Sequence, residues 1–439
     1  MNEIITAAPP APQPTWLTAK GINEVDFCQQ FRRQHDVICI GGSFFSEEGH
    51  ISDPGQIRKW IYQMLCPHVT SNIARKVDIL YQALRLDSAD GGKLNDSLWV
   101  IHTANGTMNV ATEEFKDYRH YCRHRLPVAY NPSAGEPTRW LSFLEELLEP
   151  EDILTLQEYL GYCLIPCTIA QKMLIITGQG GEGKSRIGVV MKAILGNAMC
   201  MGSLNKIETN RFARADLEHK LLMVDDDLKL SALPDTNYIK SIITAETPTD
   251  LERKGEQSYQ GLLYARFLAF GNDTLQALHD RSYGFFRRQI ILTAKPRRPD
   301  RVDDPLLVGS LIQEKEAIFS WCLEGLNRLI CNDFRFTLSS SAKANSQQSM
   351  ESGNNMLAFL KSEGYIHFNT DLVISSRQLY DIYRRWCDDN ALVPLSAKTF
   401  WSFLTQNAPQ YGLRPTSHVP IGGGKQARGF YGIGGAIHL

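Results

Sequence analysis

Apolar residues recur along this chain in two rhythms, and the rhythm changes mark its parts. Gln56 to Leu65, Asn72 to Leu84, Trp140 to Leu148 and Asp152 to Leu164 carry them three or four apart, the spacing of helices with one buried face. Leu98 to His102, running into the turn Asn105-Gly106, has the pattern of a short strand. Further on, Met173-Leu174-Ile175-Ile176, Leu221-Leu222-Met223-Val224, Phe267-Leu268-Ala269-Phe270 and Ile290-Ile291-Leu292 are unbroken apolar runs bounded by polar turns. Such runs suit strands buried on both faces, and their alternation with helical segments predicts an α/β unit with a parallel sheet. The last hundred residues read as three helices, Asn355 to Glu363, Ser376 to Asp389 and Ser396 to Asn407. Two short strands follow, around His418 to Ile421 and Gly429 to Ile433, separated by Gly422-Gly423-Gly424. Helices closed by a hairpin predict a winged helix.

The breaks between these patterns divide the chain. Residues 1–15 are rich in Ala and Pro and predict a disordered leader; 16–168 predict a mainly helical N-terminal domain; 169–335 the α/β core. Residues 336–350, polar and serine-rich, read as a linker or a solvated helix start, and 351–439 as the winged-helix domain. Every apolar run is too short to span a bilayer, and the N-terminus lacks a charged-then-apolar signal, so the expectation is a soluble cytoplasmic protein with no membrane partner. The ten cysteines form no C-x-x-C pair, and Cys163 and Cys167, four apart on a helix, suit core packing better than half a metal site.

A formal net charge of −2 excludes a polycation that coats nucleic acid through bulk charge. From Ser340 onward, however, Lys and Arg outnumber Asp and Glu by nine to six, leaving the tail mildly basic.

Directly after the first of the apolar runs stands Gly178-Gln179-Gly180-Gly181-Glu182-Gly183-Lys184-Ser185, a complete G-x-x-x-x-G-K-[ST] phosphate-binding loop. Its glycines let successive N–H groups turn toward a triphosphate, Lys184 reaches the β and γ phosphates, and Ser185 completes the shell of a Mg²⁺ ion. ATP with Mg²⁺ is the implied cofactor pair. Leu221 to Val224 ends in Asp225-Asp226-Asp227, the form of a metal-orienting acidic strand, in which Asp225 orients Mg²⁺ and Asp226 polarises the attacking water, although the register among the three stays open. Phe267 to Phe270 ends at Gly271-Asn272, where an amide is placed to hold that water. Arg287 and Arg288 precede the next strand, and either fits as an arginine acting on a neighbouring subunit's nucleotide. Glu252-Arg253-Lys254-Gly255-Glu256 reads as a charged hairpin tip whose Lys254 suits a DNA backbone.

With these elements in this order, the chain resembles the phage and plasmid primase-helicase family, whose motor belongs to helicase superfamily 3, a branch of the AAA+ ATPases. The likeness extends upstream through Ile101-His102-Thr103-Ala104-Asn105-Gly106, residues 126–134 and Leu156-Gln157-Glu158-Tyr159-Leu160-Gly161-Tyr162. Downstream it includes Gln378-Leu379-Tyr380-Asp381-Ile382-Tyr383-Arg384-Arg385-Trp386-Cys387. The resemblance implies that residues 178–185 are motif A, Asp225 and Asp226 motif B, Asn272 motif C, Lys254 the tip of the DNA-contacting motif, and Arg287 or Arg288 the trans-acting finger. Two departures stand out. Family motif B often carries Glu at its second acidic position, so Asp227 leaves the base open, and the residues ahead of the motor leave no room for a primer-synthesising domain.

The expectation is therefore an ATP-dependent, ring-forming DNA helicase of a phage or mobile element. It would be a homo-hexamer acting on single-stranded or forked DNA, with a separate primase or polymerase as partner. One rival is a nucleotide-gated origin-binding or helicase-loading factor without unwinding activity. A small-molecule phosphotransferase using the same loop is the other, and the tandem arginines and basic tail count against it.

Overall fold

The computed structural model describes residues 14–436 apart from 41, 52, 88–93, 95–96, 119, 229–235, 256, 273–282, 301–303, 354, 391 and 421–424. Nearly all of the leader expected at 1–15, and the glycine turn at 422–424, lie outside the described residues.

At the centre is a five-stranded sheet: β1 (Met173–Thr177), β2 (Met199–Met201), β3 (Leu222–Leu228), β4 (Arg266–Gly271) and β5 (Gln289–Thr293). All neighbours are parallel and the order is β2-β3-β4-β1-β5. The expected mixed α/β class with a parallel sheet is what the chain adopts. Alternate side chains divide between two cores, as the period of two along a strand requires. Leu174 and Ile176 of β1 join Ile187, Ile194 and the helices Thr138–Leu147, Pro150–Tyr162 and Lys315–Cys331 on one face. Met173 and Ile175 join Leu204, Ile239 and Ile242 on the other.

The first of these cores also takes in Ile101, Leu126 and Trp140, so hydrophobic packing does not divide at residue 168. A separate cluster around Phe27, Phe31, Ile57, Ile61 and Leu80 ends at Leu84. Nor is the region before residue 168 as helical as its apolar spacing suggested. Beside helices Glu24–His35, Pro54–Leu65 and Ile73–Leu86 it holds two three-stranded antiparallel sheets, Ile38–Ile40 with Ser43–Ser46 and Gly49–His50, and Val100–Thr103 with Gly106–Asn109 and Glu114–Lys116. Val100–Thr103, with its turn at Asn105-Gly106, is the strand read at Leu98 to His102, whereas the others, two to four residues long, are too short to show alternation.

Helices Pro150–Tyr162 and Lys315–Cys331 meet backbone to backbone. A Cβ on Gly161 would stand 2.2 Å from the Cys322 carbonyl oxygen, and one on Gly325 2.4 Å from that of Gln157. Cys163 and Cys167 are both buried, the packing role expected of them.

Of the two readings left open for residues 336–350, the helix start is what forms: a helix, Ser340–Gly353, lies along the outer edge of β5. Asn345 Nδ2 donates to the Ile291 carbonyl at 3.2 Å and to Thr293 Oγ1 at 3.0 Å, so it covers polar groups that an edge strand otherwise exposes. Beyond it come helices Asn355–Leu360, Ser376–Asp389 and Ala397–Asn407 and an antiparallel sheet in which Gln426–Gly435 lies between Ile366–Ser375 and Arg414–Pro420. Ser375 and Gln378 close a capping box at the start of the middle helix. Among the described residues, no helix is long and apolar enough to cross a membrane.

Candidate functional site

β1 ends at Thr177 and the chain turns at once through a glycine-rich loop into the helix Ser185–Leu195, whose N-terminal residues border the loop. Gly180, Gly181 and Gly183 have φ of +103°, +82° and +98°, a region that side chains with a Cβ rarely enter. Gly178 contributes in a different way. A Cβ there would stand 2.6 Å from Lys184 Nζ and 2.8 Å from Glu182 Oε1, so the ends of these two side chains would have to shift from where they lie. The Gly178 N–H donates to the Gly271 carbonyl at 3.1 Å and pins the loop to the end of β4.

The loop encloses an anion supplied by the chain itself. Glu182, 2 % exposed, accepts the Lys184 ammonium at 2.6 Å on one carboxylate oxygen. On the other it accepts the Gly180 N–H at 2.8 Å and the Gln179 N–H. Burial alone would raise the Glu182 pKa, but the hydrogen bonds from Lys184 and from backbone N–H groups outweigh it and hold the carboxyl below its usual range. Two N–H groups and an ammonium thus converge on a carboxylate, and donors of this kind are also those that bind phosphate groups.

Asn272 follows β4 directly and comes to the same loop, its Oδ1 3.9 Å from where a Gly180 Cβ would be. Ser185, half-buried, opens the helix. The three aspartates sit in the second half of β3, but their surroundings differ. Val224 faces the helix that follows the loop, 3.3 Å from a Cβ on its Gly188. Asp225, next along the strand, turns to the opposite face, where its Oδ2 accepts the Leu204 N–H at 2.8 Å. Burial pushes its carboxyl above the usual range. A register shift between Asp225 and Leu228 then leaves Asp226 and Asp227 exposed at the strand's end. All three border a cavity of about 730 Å³ shared with Lys206 and Asp216.

Arg287 and Arg288 are not brought to this loop. They precede β5, whose Gln289 pairs with Met173 at the start of β1, whereas the loop follows Thr177. Four residue steps of about 3.3 Å put roughly 13 Å of sheet between the two ends. Arg287 is exposed; Arg288 Nη1 donates to the Gly284 carbonyl. Lys172 Nζ donates to the Arg287 carbonyl, and burial, with the two arginines beside it, lowers its pKa.

Lys254 is likewise remote. It is exposed in the turn of a hairpin, Thr249–Leu251 with Tyr259–Gly261, that precedes β4 and so leaves the sheet at the end away from the loop. Arg253 and Tyr259 brace the hairpin by both reaching Glu218 Oε2 at 2.6 Å.

One cation beside the loop was not anticipated. Arg297 Nη1 stands 3.6 Å from where a Gly181 Cβ would be. With Arg139, Lys295 and Arg298 it lines a cavity of about 550 Å³ whose wall includes Glu182. The basic run Lys295-Pro296-Arg297-Arg298 is visible in the sequence, but its nearness to the loop depends on how the chain turns after β5.

Two family models match parts of the chain. Residues 56–149 match the model described as D5 N terminal like. Residues 176–288, covering the loop, β3, β4 and both arginines, match a family of unknown function, DUF5906. Among solved structures, the A form of the apo NrS-1 C-terminal region (305–718) is similar at 12 % identity over 92 % of this chain and 98 % of that one, with a TM-score of 0.52. The likeness is one of fold. A second chain of the same region aligns over 82 % of this chain and 90 % of its own at 12 % identity and a TM-score of 0.44. A JCV helicase structure with a bound small molecule aligns over 52 % and 61 % at 14 % identity and a TM-score of 0.29. No curated protein matches the chain.

Proposed function

We propose that this chain is an ATP-driven, ring-forming DNA helicase that serves the replication of a phage or mobile element, its motor a P-loop core of the AAA+ type. The observation that carries the reading is the anion receptor made by the Gly180 and Gln179 N–H groups and Lys184 at the carboxyl end of a parallel sheet, with Asn272 beside it. Crevices at the carboxyl ends of such strands are where open α/β sheets bind ligands. The strand order β2-β3-β4-β1-β5, with the loop on β1 and the amide on its neighbour β4, supports the same reading.

In this reading the receptor takes the β and γ phosphates of ATP. Ser185 and an aspartate from β3 would hold Mg²⁺, which supplies charge neutralisation on the phosphates. The exposed Asp226 is better placed than Asp225 for an acidic role, because Asp225 is engaged with Leu204. Asn272 positions the water. As its oxygen bonds to the γ phosphorus the bond to the β–γ bridging oxygen breaks, and the water proton passes to the carboxylate. An arginine at 287 or 288, remote from its own loop, serves a neighbour's nucleotide, which requires a ring; a homo-hexamer is the proposed form. Lys254, exposed on its braced hairpin, contacts the strand of DNA being moved. The helices and sheet from Asn355 onward form a winged helix, with a separate primase or polymerase as partner in the cytoplasm.

The decisive experiment compares DNA-stimulated ATP hydrolysis and strand displacement by the wild type and by Lys184→Ala. Wild-type activity that is lost in the variant supports the proposal; equal rates overturn it. The basic excess of the tail favours one second reading, a nucleotide-gated loading factor, which would protect duplex DNA from digestion yet displace no strand.

A further inference from the structure

We infer that Glu182 is a built-in occupant of the phosphate site, a carboxylate that a nucleotide must expel before its phosphates reach Lys184. The inference rests on the nucleotide reading of the loop and adds a gate to it.

Three observations carry it. Glu182 and Lys184 are a contact pair 2.6 Å apart with side chains only 2 % and 8 % exposed, so this is no loose surface ion pair. Both carboxylate oxygens are in use, one on the ammonium and the other on the Gln179 and Gly180 N–H groups, so the carboxylate takes up the donors that would serve a phosphate. Finally, Gly178 leaves room for this arrangement, since a Cβ there would stand 2.6 Å from Lys184 Nζ and 2.8 Å from Glu182 Oε1 and both side-chain ends would have to shift.

An N–H group or ammonium proton cannot serve two anions at full strength, so phosphate and carboxylate compete. A destination exists for the loser. Glu182 forms part of the wall of a cavity whose charged lining is mixed, Arg139, Lys295, Arg297 and Arg298 with Glu146, Asp300 and Asp304, and a rotation about its side-chain bonds would carry the carboxylate from the Lys184 ammonium into this polar space. With its own carboxylate in place, the loop is kept neutralised and closed. The cost falls on nucleotide affinity, which is reduced by the fraction of molecules whose receptor is free.

The test is calorimetric titration of the full chain with ADP and with ATP, using wild type, Glu182→Ala, Glu182→Gln and Lys184→Ala. Removing the carboxylate is expected to tighten ADP binding about tenfold or more, with Glu182→Gln between wild type and Glu182→Ala. Thermal unfolding of the ligand-free variants adds a second readout: Glu182→Ala should melt lower than wild type alone yet gain more from ADP. If Glu182→Ala fails to fold, the near-isosteric Glu182→Gln still decides the matter through the same shift. Wild type that binds ADP and loses it with Lys184→Ala, beside Glu182 variants that bind equally or more weakly, overturns the gate and leaves the nucleotide site standing. Absence of binding in the wild type and in both Glu182 variants overturns site and gate together.

Discussion

Arg328 Nε donates to Glu158 at 2.7 Å in the seam between helices Pro150–Tyr162 and Lys315–Cys331, and Glu158 there is fully buried. Thr337 adds its N–H and its hydroxyl to the same carboxylate, each at 2.7 Å, while Arg328 Nη2 reaches Gln157 Oε1 at 2.9 Å and the Leu154 carbonyl at 3.1 Å. Removing the cation leaves a buried carboxylate with neutral donors alone. Arg328→Ala is therefore expected to lower stability by roughly 3 kcal/mol, the lower end of the range for a broken buried pair because the Thr337 bonds remain. Urea unfolding measures it. A loss well under 1 kcal/mol would mean that water takes the guanidinium's place.

On the proposed reading of the loop, the aspartates of β3 are expected to differ in function. Asp226→Asn is expected to cut ATP turnover at least a hundredfold with nucleotide affinity and unfolding midpoint near wild type, since that side chain is exposed. Asp225→Asn keeps an acceptor for the Leu204 N–H and removes a buried charge, so it should fold at least as well as wild type and retain more turnover than Asp226→Asn. The reverse order of activities would return the acidic role to Asp225.

The contrast between these neighbours marks where the sequence stops being legible. β1, β3 and β4 announce themselves because strands buried on both faces are unbroken apolar runs, and the loop does so because its glycines and Lys184 are contiguous. β2 has three residues at the sheet's edge and leaves no pattern. Ile366–Ser375 escapes notice because most of its middle is solvent-exposed and polar. Ser340–Gly353 stays ambiguous between linker and helix start because its described side chains dock through Ala342, Asn345 and Ser349, too few of them apolar to mark a buried face. At the site, the side to which Asp225 turns is set by strand register and Leu204, and the approach of Arg297 to Gly181 joins residues far apart in the chain. Neither is a property of a local window.

Exposure divides the tandem arginines. Arg287 is open to solvent, while Arg288 is bound to the Gly284 carbonyl of its own chain. Arg287→Ala is expected to reduce DNA-stimulated turnover on the order of 10³-fold, as loss of a trans-acting arginine does, without changing ADP affinity or the midpoint of unfolding. Arg288→Ala should instead lower that midpoint. Mixing Arg287→Ala with Lys184→Ala subunits supplies the further check. If the arginine acts in trans, some interfaces pair an intact loop with an intact arginine and activity returns in part.

Acid should loosen the contact between the N-terminal region and the hairpin that carries Lys254. His50 and His219 lie with ring centroids 4.4 Å apart, His124 Nε2 donates to the His219 carbonyl at 3.1 Å, and Arg123 Nη1 donates to His219 Nδ1 at 3.4 Å. Glu218, Lys220 and Arg253 also face the cluster. Burial first, then His219 for His50 and Arg123 for His219, lowers both imidazoles to about 3, and burial takes His124 well below 6.5. Folded rings therefore stay neutral down to about pH 3, whereas unfolded rings take up protons near 6.5. Below pH 6.5 the unfolded chain binds more protons, so stability is full above that value and declines as pH falls through the window from 6.5 toward 3. The slope approaches about 1.4 kcal/mol per pH unit for each ring. Between about pH 7.5 and 5, before most carboxylates titrate, unfolding free energy should drop steeply for the wild type. His219→Gln, which cannot be protonated there, should drop less steeply. Equal slopes for the two proteins would place the acid sensitivity elsewhere, because His219 contacts both other rings and its removal from the titration is the change the cluster cannot absorb.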